Sequence, residues 1–367
     1  MKFVNALAVA AVGMVMAAGA ARADITIAVA GPLTGPEAAF GEQFKRGAEK
    51  AVTDINAKGG VLGQKLNLIM ADDSCDAKQA RSAAEEIAAK RAVFVAGHFC
   101  SSSSIPASEV YQENGILQMS PGSTNPTFTD RGLPNVFRAC GRDDNQGKVA
   151  AEYVAAKQKG KVVAIIQDKS SYGKGLADEF KKALNAAGIQ EAFYEAITAG
   201  EKDYSALVTK AKAAKVDILY LGGYKTEGGL IVRQMRDQGM KTTLMGGDAL
   251  VTEEYWAITG PAGEGTMMTF SPDPRLLPQN ADLVKYFRAQ NYEPEAYTLY
   301  TYATIQAWSQ AAEKAKSTDW KKVAAALKSG DKFQTAVGNI GFDAKGDVVG
   351  PTYVMYVWKN GKYGYAE

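Results

Sequence analysis

The segment AVFVAGHFCSSSSIPASEVYQENGILQMS, residues 92–120, decides the fold. It opens on an apolar run, AVFVA (92–96), and passes through Gly97 and a hydroxyl-rich loop. A helical stretch over 101–114 follows, and a second apolar run, ILQMS (116–120), closes it. Short apolar runs that flank a helix read as neighbouring strands of a parallel sheet. Strands buried on both faces lose the in–out alternation of a half-exposed strand. The same unit recurs outward from this segment. Upstream lie a strand ITIAVA (25–30), a helix over 42–56 stopped by Gly59-Gly60, a strand over 65–70 and a helix over 77–91. Downstream the pattern breaks around 137–141 and restarts with a helix over 144–159. Strands are then predicted at 161–167 (KVVAIIQ), 191–197, 216–222 (VDILYLG) and 242–245, separated by helices at 175–187, 205–214 and 227–238. After Thr269-Phe270 come helices at 281–290, 297–316 and 320–328, and a terminal strand pair at 338–342 and 353–358. The α/β alternation with breaks near residues 141 and 270 predicts two doubly wound lobes with a cleft between them.

The composition narrows the chemistry. With 367 residues, 46% hydrophobic and 22% charged, the chain is long enough for about two folded domains. Lys+Arg 42 against Asp+Glu 40 leaves no electrostatic footprint for nucleic acid or anionic lipid. The single histidine, His98, excludes a multi-histidine metal site, and any Ser-His-Asp triad would run through it. No G-x-S-x-G elbow, H-E-x-x-H helix or Walker A loop is present, so neither catalysis nor a cofactor is expected.

Residues 1–23 carry Lys2, an apolar stretch over 6–18 and Ala21-Arg22-Ala23, the three parts of a secretory signal peptide with cleavage after Ala23. The apolar stretch is short for a spanning helix, which needs about 20 residues. Lys2 and Arg22 leave with it, so the remainder balances 40 acidic side chains with as many basic ones. Export puts the cysteines in an oxidising compartment. Cys75 and Cys100 each follow a predicted strand in neighbouring units and read as a disulfide, with Cys140 free and buried; three free thiols are the alternative.

Ligands of open parallel sheets sit beyond the carboxyl ends of the strands, at helix N-termini. Two such places in the first lobe are rich in donors: the loop 97–104 with Ser101 to Ser104, and the turn Pro121-Gly122-Ser123-Thr124-Asn125-Pro126. The second lobe offers Tyr172 in KSSYG (169–173), Tyr224 in GGY (222–224) and Asp248 after Gly246-Gly247. Anion donors on one side, with an acid and aromatic walls on the other, suit a small zwitterion. Plain helix capping by the serines and a solvated loop carboxylate at Asp248 are the simpler readings. His98 is expected to be structural or to edge the cleft.

The stretches GPLTGPEAAFG (31–41), GAEKAVTDINAKGG (47–60), GHFCSSSSIPASEVY (97–111), PGSTNP (121–126), DKSSYGKGLA (168–177), AGEKDYSALV (199–208) and GGYKTEGGLIVRQ (222–234) resemble the leucine/isoleucine/valine-binding protein family. These are the periplasmic solute-binding components of ABC importers for branched-chain amino acids, and the resemblance covers residues 24–360. It implies the type I periplasmic binding protein fold with a three-segment hinge: lobe 1 over 24–141 and 271–350, lobe 2 over 142–270 and 351–367. It also implies the Cys75–Cys100 bridge, a ligand α-carboxylate on Ser101 and Thr124, and an ammonium held by the Gly122 carbonyl and Asp248. Tyr172 and Tyr224 would close from lobe 2, with Phe40 and Tyr297 near the ligand side chain. The implied partner is a membrane permease, and a monomer is expected. Phe40 stands where tyrosine is frequent, Asp248 where glutamate occurs and Gly122 where alanine occurs. Relatives take γ-aminobutyrate, alanine, aromatic acids or amides. A same-fold sensor, or a hydrolase using one of Ser101 to Ser104, are the rival readings.

Overall fold

The computed structural model describes residues 23–350 and 353–366; the signal-peptide reading of 1–23 lies, but for Ala23, outside the described residues. The first run of elements is β1 (Ile25–Gly31), α1 (Ala38–Ala57), β2 (Leu66–Asp72), α2 (Ala77–Ala89), β3 (Phe94–Gly97), α3 (Ser101–Glu113), β4 (Leu117–Ser120), the single turn α4 (Thr127–Asp130) and β5 (Val136–Arg138). Its strands form one parallel sheet in the order β2-β1-β3-β4-β5. Both faces are covered, which is why its strands read as continuous apolar runs. Ile27 and Val29 face the cluster that holds Phe44, Ala48 and Ala51 of α1. Ala28 and Ala30, of opposite parity, face Ala80, Ala84 and Ile87 of α2.

The second run is α5 (Asp143–Lys157), β6 (Val163–Gln167), α6 (Ser171–Ala186), β7 (Tyr194–Ala196), α7 (Ser205–Ala213), β8 (Ile218–Gly222), α8 (Lys225–Asp237), β9 (Thr243–Gly246), α9 (Glu253–Thr259) and β10 (Met267–Phe270). The chain continues through α10 (Ala281–Arg288), α11 (Tyr297–Ala315), α12 (Trp320–Leu327), β11 (Phe333–Thr335), β12 (Gly338–Phe342), β13 (Val348–Val349), β14 (Val354–Lys359) and β15 (Lys362–Tyr365). The second sheet runs β15-β14-β10-β9-β8-β6-β7, with β14 and β15 antiparallel additions to a parallel core. Between β10 and β14 the chain returns to the first sheet, where α11 packs along α1. Three passages therefore connect the two sheets.

Several expectations need correction. The strands over 338–342 and 353–358 are not a pair: β12 joins β11 and β13 in a small sheet, whereas β14 borders β10 in the second sheet. Their apolar patterns are alike, and partner choice is a long-range matter that a local pattern does not carry. β5 falls in what reads as a break, and α9 in what reads as loop. α1 begins at Ala38, four residues before its predicted start. Gly41 lies inside that helix, where a glycine is needed because a Cβ would stand 2.1 Å from the Pro32 carbonyl oxygen.

Candidate functional site

The first sheet supplies two loops, after β3 and β4, that are stapled together by serines. The Ser120 hydroxyl donates to the His98 carbonyl at 2.6 Å, Ser123 Oγ to the Phe99 carbonyl at 2.8 Å, and Ser104 and Ser123 pair at 2.7 Å. His98 itself is fully buried, with Nδ1 2.5 Å from Asp73 Oδ2 and Nε2 2.9 Å from the Tyr111 hydroxyl. It is thus a structural anchor of the loop and stands back from the cleft. Cys75 and Cys100 form a disulfide with Cα atoms 5.5 Å apart, tying the loop after β2 to the cap of α3. Closing a 25-residue separation stabilises by about 3 kcal/mol on the chain-entropy account. Cys140 is free and buried, and burial pushes its thiol well up.

What these staples present is a pair of donors. Ser101 is the first residue of α3, so its N–H has no intrahelical acceptor and sits at the positive end of the helix. Its hydroxyl accepts from the Asn125 N–H at 3.3 Å. Thr124 is buried, and among the described residues its N–H has no hydrogen-bond partner, while its Oγ1 lies beside the Asp143 carboxyl. Unpaired donors and acceptors at this depth are costly unless a ligand or water meets them.

The second sheet brings an acid to the same place. Asp248 follows β9 and is buried, so it is no solvated loop carboxylate. Oδ1 accepts from the Tyr172 hydroxyl and from Gln146 Nε2, each at 2.9 Å, and the Tyr297 hydroxyl donates to Oδ2. Gln146, in the second turn of α5, ties the cluster together. Its Nε2 also donates to Asp143 Oδ1 at 3.0 Å, and its Oε1 accepts from the Asp248 N–H at 2.9 Å and the Thr269 hydroxyl at 2.7 Å. Asp143 is fully buried, with its carboxyl beside the Thr124 hydroxyl. Burial, then the Asp248 charge, pushes Asp143 up to about 8; burial likewise raises Asp248. Two buried acids therefore converge on the side of the cleft that faces the Thr124 loop.

Phe99, Ser101, Gly122, Tyr172, Tyr224 and Asp248 line one small cavity of about 10 Å³. Phe40 and Tyr297 stand one layer behind it. Phe40 stacks on Phe99 with ring centroids 4.2 Å apart, and Tyr297 reaches Asp248 through its hydroxyl. Gly122 is explained by Phe99: a Cβ at 122 would lie 2.8 Å from the Phe99 ring. Tyr172 and Tyr224 close the other wall, their rings 5.1 Å apart. The cleft mouth is latched by Lys225, the first residue of α8, which is fully buried. Its Nζ reaches Glu37 Oε2 at 2.8 Å, the Pro36 carbonyl at 2.7 Å and Glu254 at 3.2 Å, and it lies 5.1 Å from the centre of the Phe40 ring. Asn125 Nδ2 adds a second bridge, to the Ser171 carbonyl at 2.6 Å.

The sequence matches the periplasmic binding protein family over residues 24–362. The chain belongs to the periplasmic binding protein family. A Leu/Ile/Val-binding protein homolog 1 from Brucella suis biovar 1 (strain 1330) is 49% identical over 362 residues, 98% of each chain. An amino acid binding protein from Pseudomonas aeruginosa is 49% identical over 94% of this chain and 92% of its own. Among solved structures, a leucine-binding protein from Thermotoga maritima superposes with a TM-score of 0.87 at 28% identity, covering 94% of this chain and 98% of that one. The branched-chain amino acid transporter substrate-binding protein LivJ of Streptococcus pneumoniae, in complex with isoleucine, gives 0.86 at 27% identity, covering 94% and 99%. The fold of this binding protein is that of the type I members, two mixed α/β bodies built on parallel sheets.

Reading residue types in the sequence passed over Phe99, Asp143, Gln146, Glu37 and Lys225. Asp143 and Gln146 stand in GRDDNQG (141–147), directly after the first break. Two acids and an amide at the start of a helix that follows a lobe junction were the available signal. Lys225 adjoins Tyr224 and precedes the helix predicted over 227–238, with nothing in the sequence to set it apart from a solvated lysine.

The raised carboxylates carry a pH signature. Burial lifts Glu37 and Glu295 to about 7 and Asp143 to about 8, against ordinary values near 4. A group raised on folding contributes fully below its unfolded value and loses that contribution as pH climbs through the folded one. The melting temperature of the free protein is therefore expected to fall between pH 5 and pH 8.5, and Asp143→Asn to flatten the upper part of the fall. Equal melting temperatures at both ends would contradict these burial costs.

Proposed function

We propose that the protein captures an L-α-amino acid with a branched aliphatic side chain between two lobes and delivers it to a membrane ABC permease in the periplasm. The lobes comprise 24–141 with 271–350 and 142–270 with 351–367, after signal cleavage following Ala23. The observation that carries the reading is one cavity that joins Ser101 at the start of α3, the Gly122 backbone and the buried acid Asp248 between aromatic walls, with Thr124 and Asp143 outside its lining and Asp143 tied to Asp248 through Gln146. The ligand carboxylate takes the Ser101 and Thr124 N–H groups and hydroxyls. Its ammonium takes the Gly122 carbonyl and Asp248. Asp248, one methylene shorter than glutamate, is held at working distance by Tyr172, Tyr297 and Gln146.

The ligand docks on lobe 1 of the open form, and lobe 2 swings in to add Asp248 and the tyrosines. Closure is favoured because the closed form alone makes both sets of contacts. The protein acts as a monomer and carries out no chemistry. Ser101 has no histidine base, since the His98 ring is enclosed by Asp73 and Tyr111. The relatives' names and the isoleucine complex of the Streptococcus pneumoniae protein support the ligand class.

Native mass spectrometry of the purified protein, followed by calorimetry with L-leucine, L-isoleucine, L-valine, γ-aminobutyrate and L-leucinamide, tests the reading. Micromolar or tighter binding of the three branched acids is expected, about −8 kcal/mol or better. Heat from γ-aminobutyrate or leucinamide alone would replace the ligand class.

A further inference from the structure

No basic side chain lines the cavity, whose walls are Phe99, Ser101, Gly122, Tyr172, Tyr224 and Asp248. A carboxylate bound there meets neutral donors, yet a fixed cation stands directly behind one of them. Arg138, the last residue of β5, is fully buried. Its Nη1 donates to the Ser123 carbonyl at 2.7 Å, and its Nη2 to the Asn125 carbonyl at 2.9 Å and to Thr129 Oγ1 at 2.8 Å. The guanidinium thus grips the chain on both sides of Thr124. The Ser123 carbonyl and the Thr124 N–H belong to one peptide plane. A cation on that oxygen draws density through the conjugated amide and makes the N–H a stronger donor, as in cooperative hydrogen-bond chains.

We propose that Arg138 is a positioning residue of the ligand-carboxylate subsite, holding the 123–125 loop in shape and passing part of its charge to the Thr124 N–H through the Ser123–Thr124 peptide. This rests on the binding site proposed above. The fourth Arg138 bond, from Nε to Asp347 Oδ1 at 2.7 Å, attaches the device to the lobe junction. Asp347 Oδ2 also accepts from Arg142 Nη1 at 2.8 Å, just beyond the first passage between the sheets. Asp347 is shared with Arg142, which has Asp130 and Asp144 as further partners at 3.0 and 2.9 Å.

The test uses L-leucine and L-leucinamide as paired probes, since they differ at the carboxylate alone. Calorimetry is run on the wild-type chain, Ser101→Ala, Asp347→Asn and the double variant Arg138→Gln/Asp347→Asn. The double variant removes both partners of the buried pair, so that no lone charge is left inside, and thermal melting confirms that it folds. Leucine is expected to bind the double variant at least tenfold more weakly, with leucinamide changed by less than threefold. The preference for leucine over leucinamide then shrinks at least threefold, whereas Asp347→Asn alone keeps it. Equal weakening of both probes would mean a merely structural role and overturn the inference. So would loss of the preference in Asp347→Asn. A Ser101→Ala chain that binds leucine as tightly as wild type would instead remove the site itself, a result distinguishable from failure of the Arg138 role.

Discussion

Asp248→Ala is expected to weaken L-leucine binding at least 100-fold. The carboxylate is the proposed partner of the ligand ammonium, and a hydrogen bond to a charged group contributes about 1.5–3 kcal/mol. Truncation also strands two buried donors, the Tyr172 and Tyr297 hydroxyls, while Gln146 Nε2 keeps its bond to Asp143. An unsatisfied buried donor costs about 1–3 kcal/mol. Asp248→Asn separates the two effects. It keeps the shape and an acceptor oxygen but removes the charge, so a smaller loss, on the order of tenfold, is expected. Calorimetry at constant pH, with melting curves to verify folding, reads both. Binding of leucine by Asp248→Ala within threefold of wild type would end the assignment.

Lys225→Met comes next in size. Lys225 and Glu37 meet across the cleft and both are buried in the closed form. Removing one partner of such a pair leaves an uncompensated charge and costs about 3–5 kcal/mol. In the proposed open form Glu37 would return to water, so the penalty falls on closure and is read as faster ligand release. A loss of about 100-fold in leucine affinity is expected at pH 8. At pH 5.5 the loss should shrink to under tenfold. Burial raises Glu37 to about 7 even with Lys225 present, and without that cation it rises further and is neutral in acid. Glu37→Gln/Lys225→Met should recover most of the affinity at pH 8, because the buried Glu37 charge is gone and Glu254, the carboxylate that remains, is exposed to solvent. Stopped-flow release rates decide the point: an unchanged off-rate in Lys225→Met at pH 8 would show that the pair does not stabilise closure.

Both predictions turn on residues that the sequence discloses unequally. Asp248 is visible as an acid on a glycine turn after a strand, where a parallel sheet places its ligands. The same logic points to Ser101, Gly122, Tyr172 and Tyr224, and all of these line the cavity. Lys225 and Glu37 are separated by 188 positions, and each alone looks like a solvated charge. Phe40 and Tyr297 are nameable from the resemblance, but their place behind Phe99 and Asp248 follows from packing depth. Arg138 sits in a strand that reads as a break.

Local pattern was enough for the parallel α/β character, the alternation into two units and the chemistry of the strand-end loops. Each of these depends on neighbours within a few residues and on which faces must be apolar. The partner of β14, the depth of His98, the Asp143–Gln146–Asp248 cluster and the latch at Lys225 were decided by tertiary structure alone. They join segments more than 80 residues apart, or set burial that one strand's composition leaves open. The cost of a buried charge depends on what faces it, and that is known only once the two sheets have met.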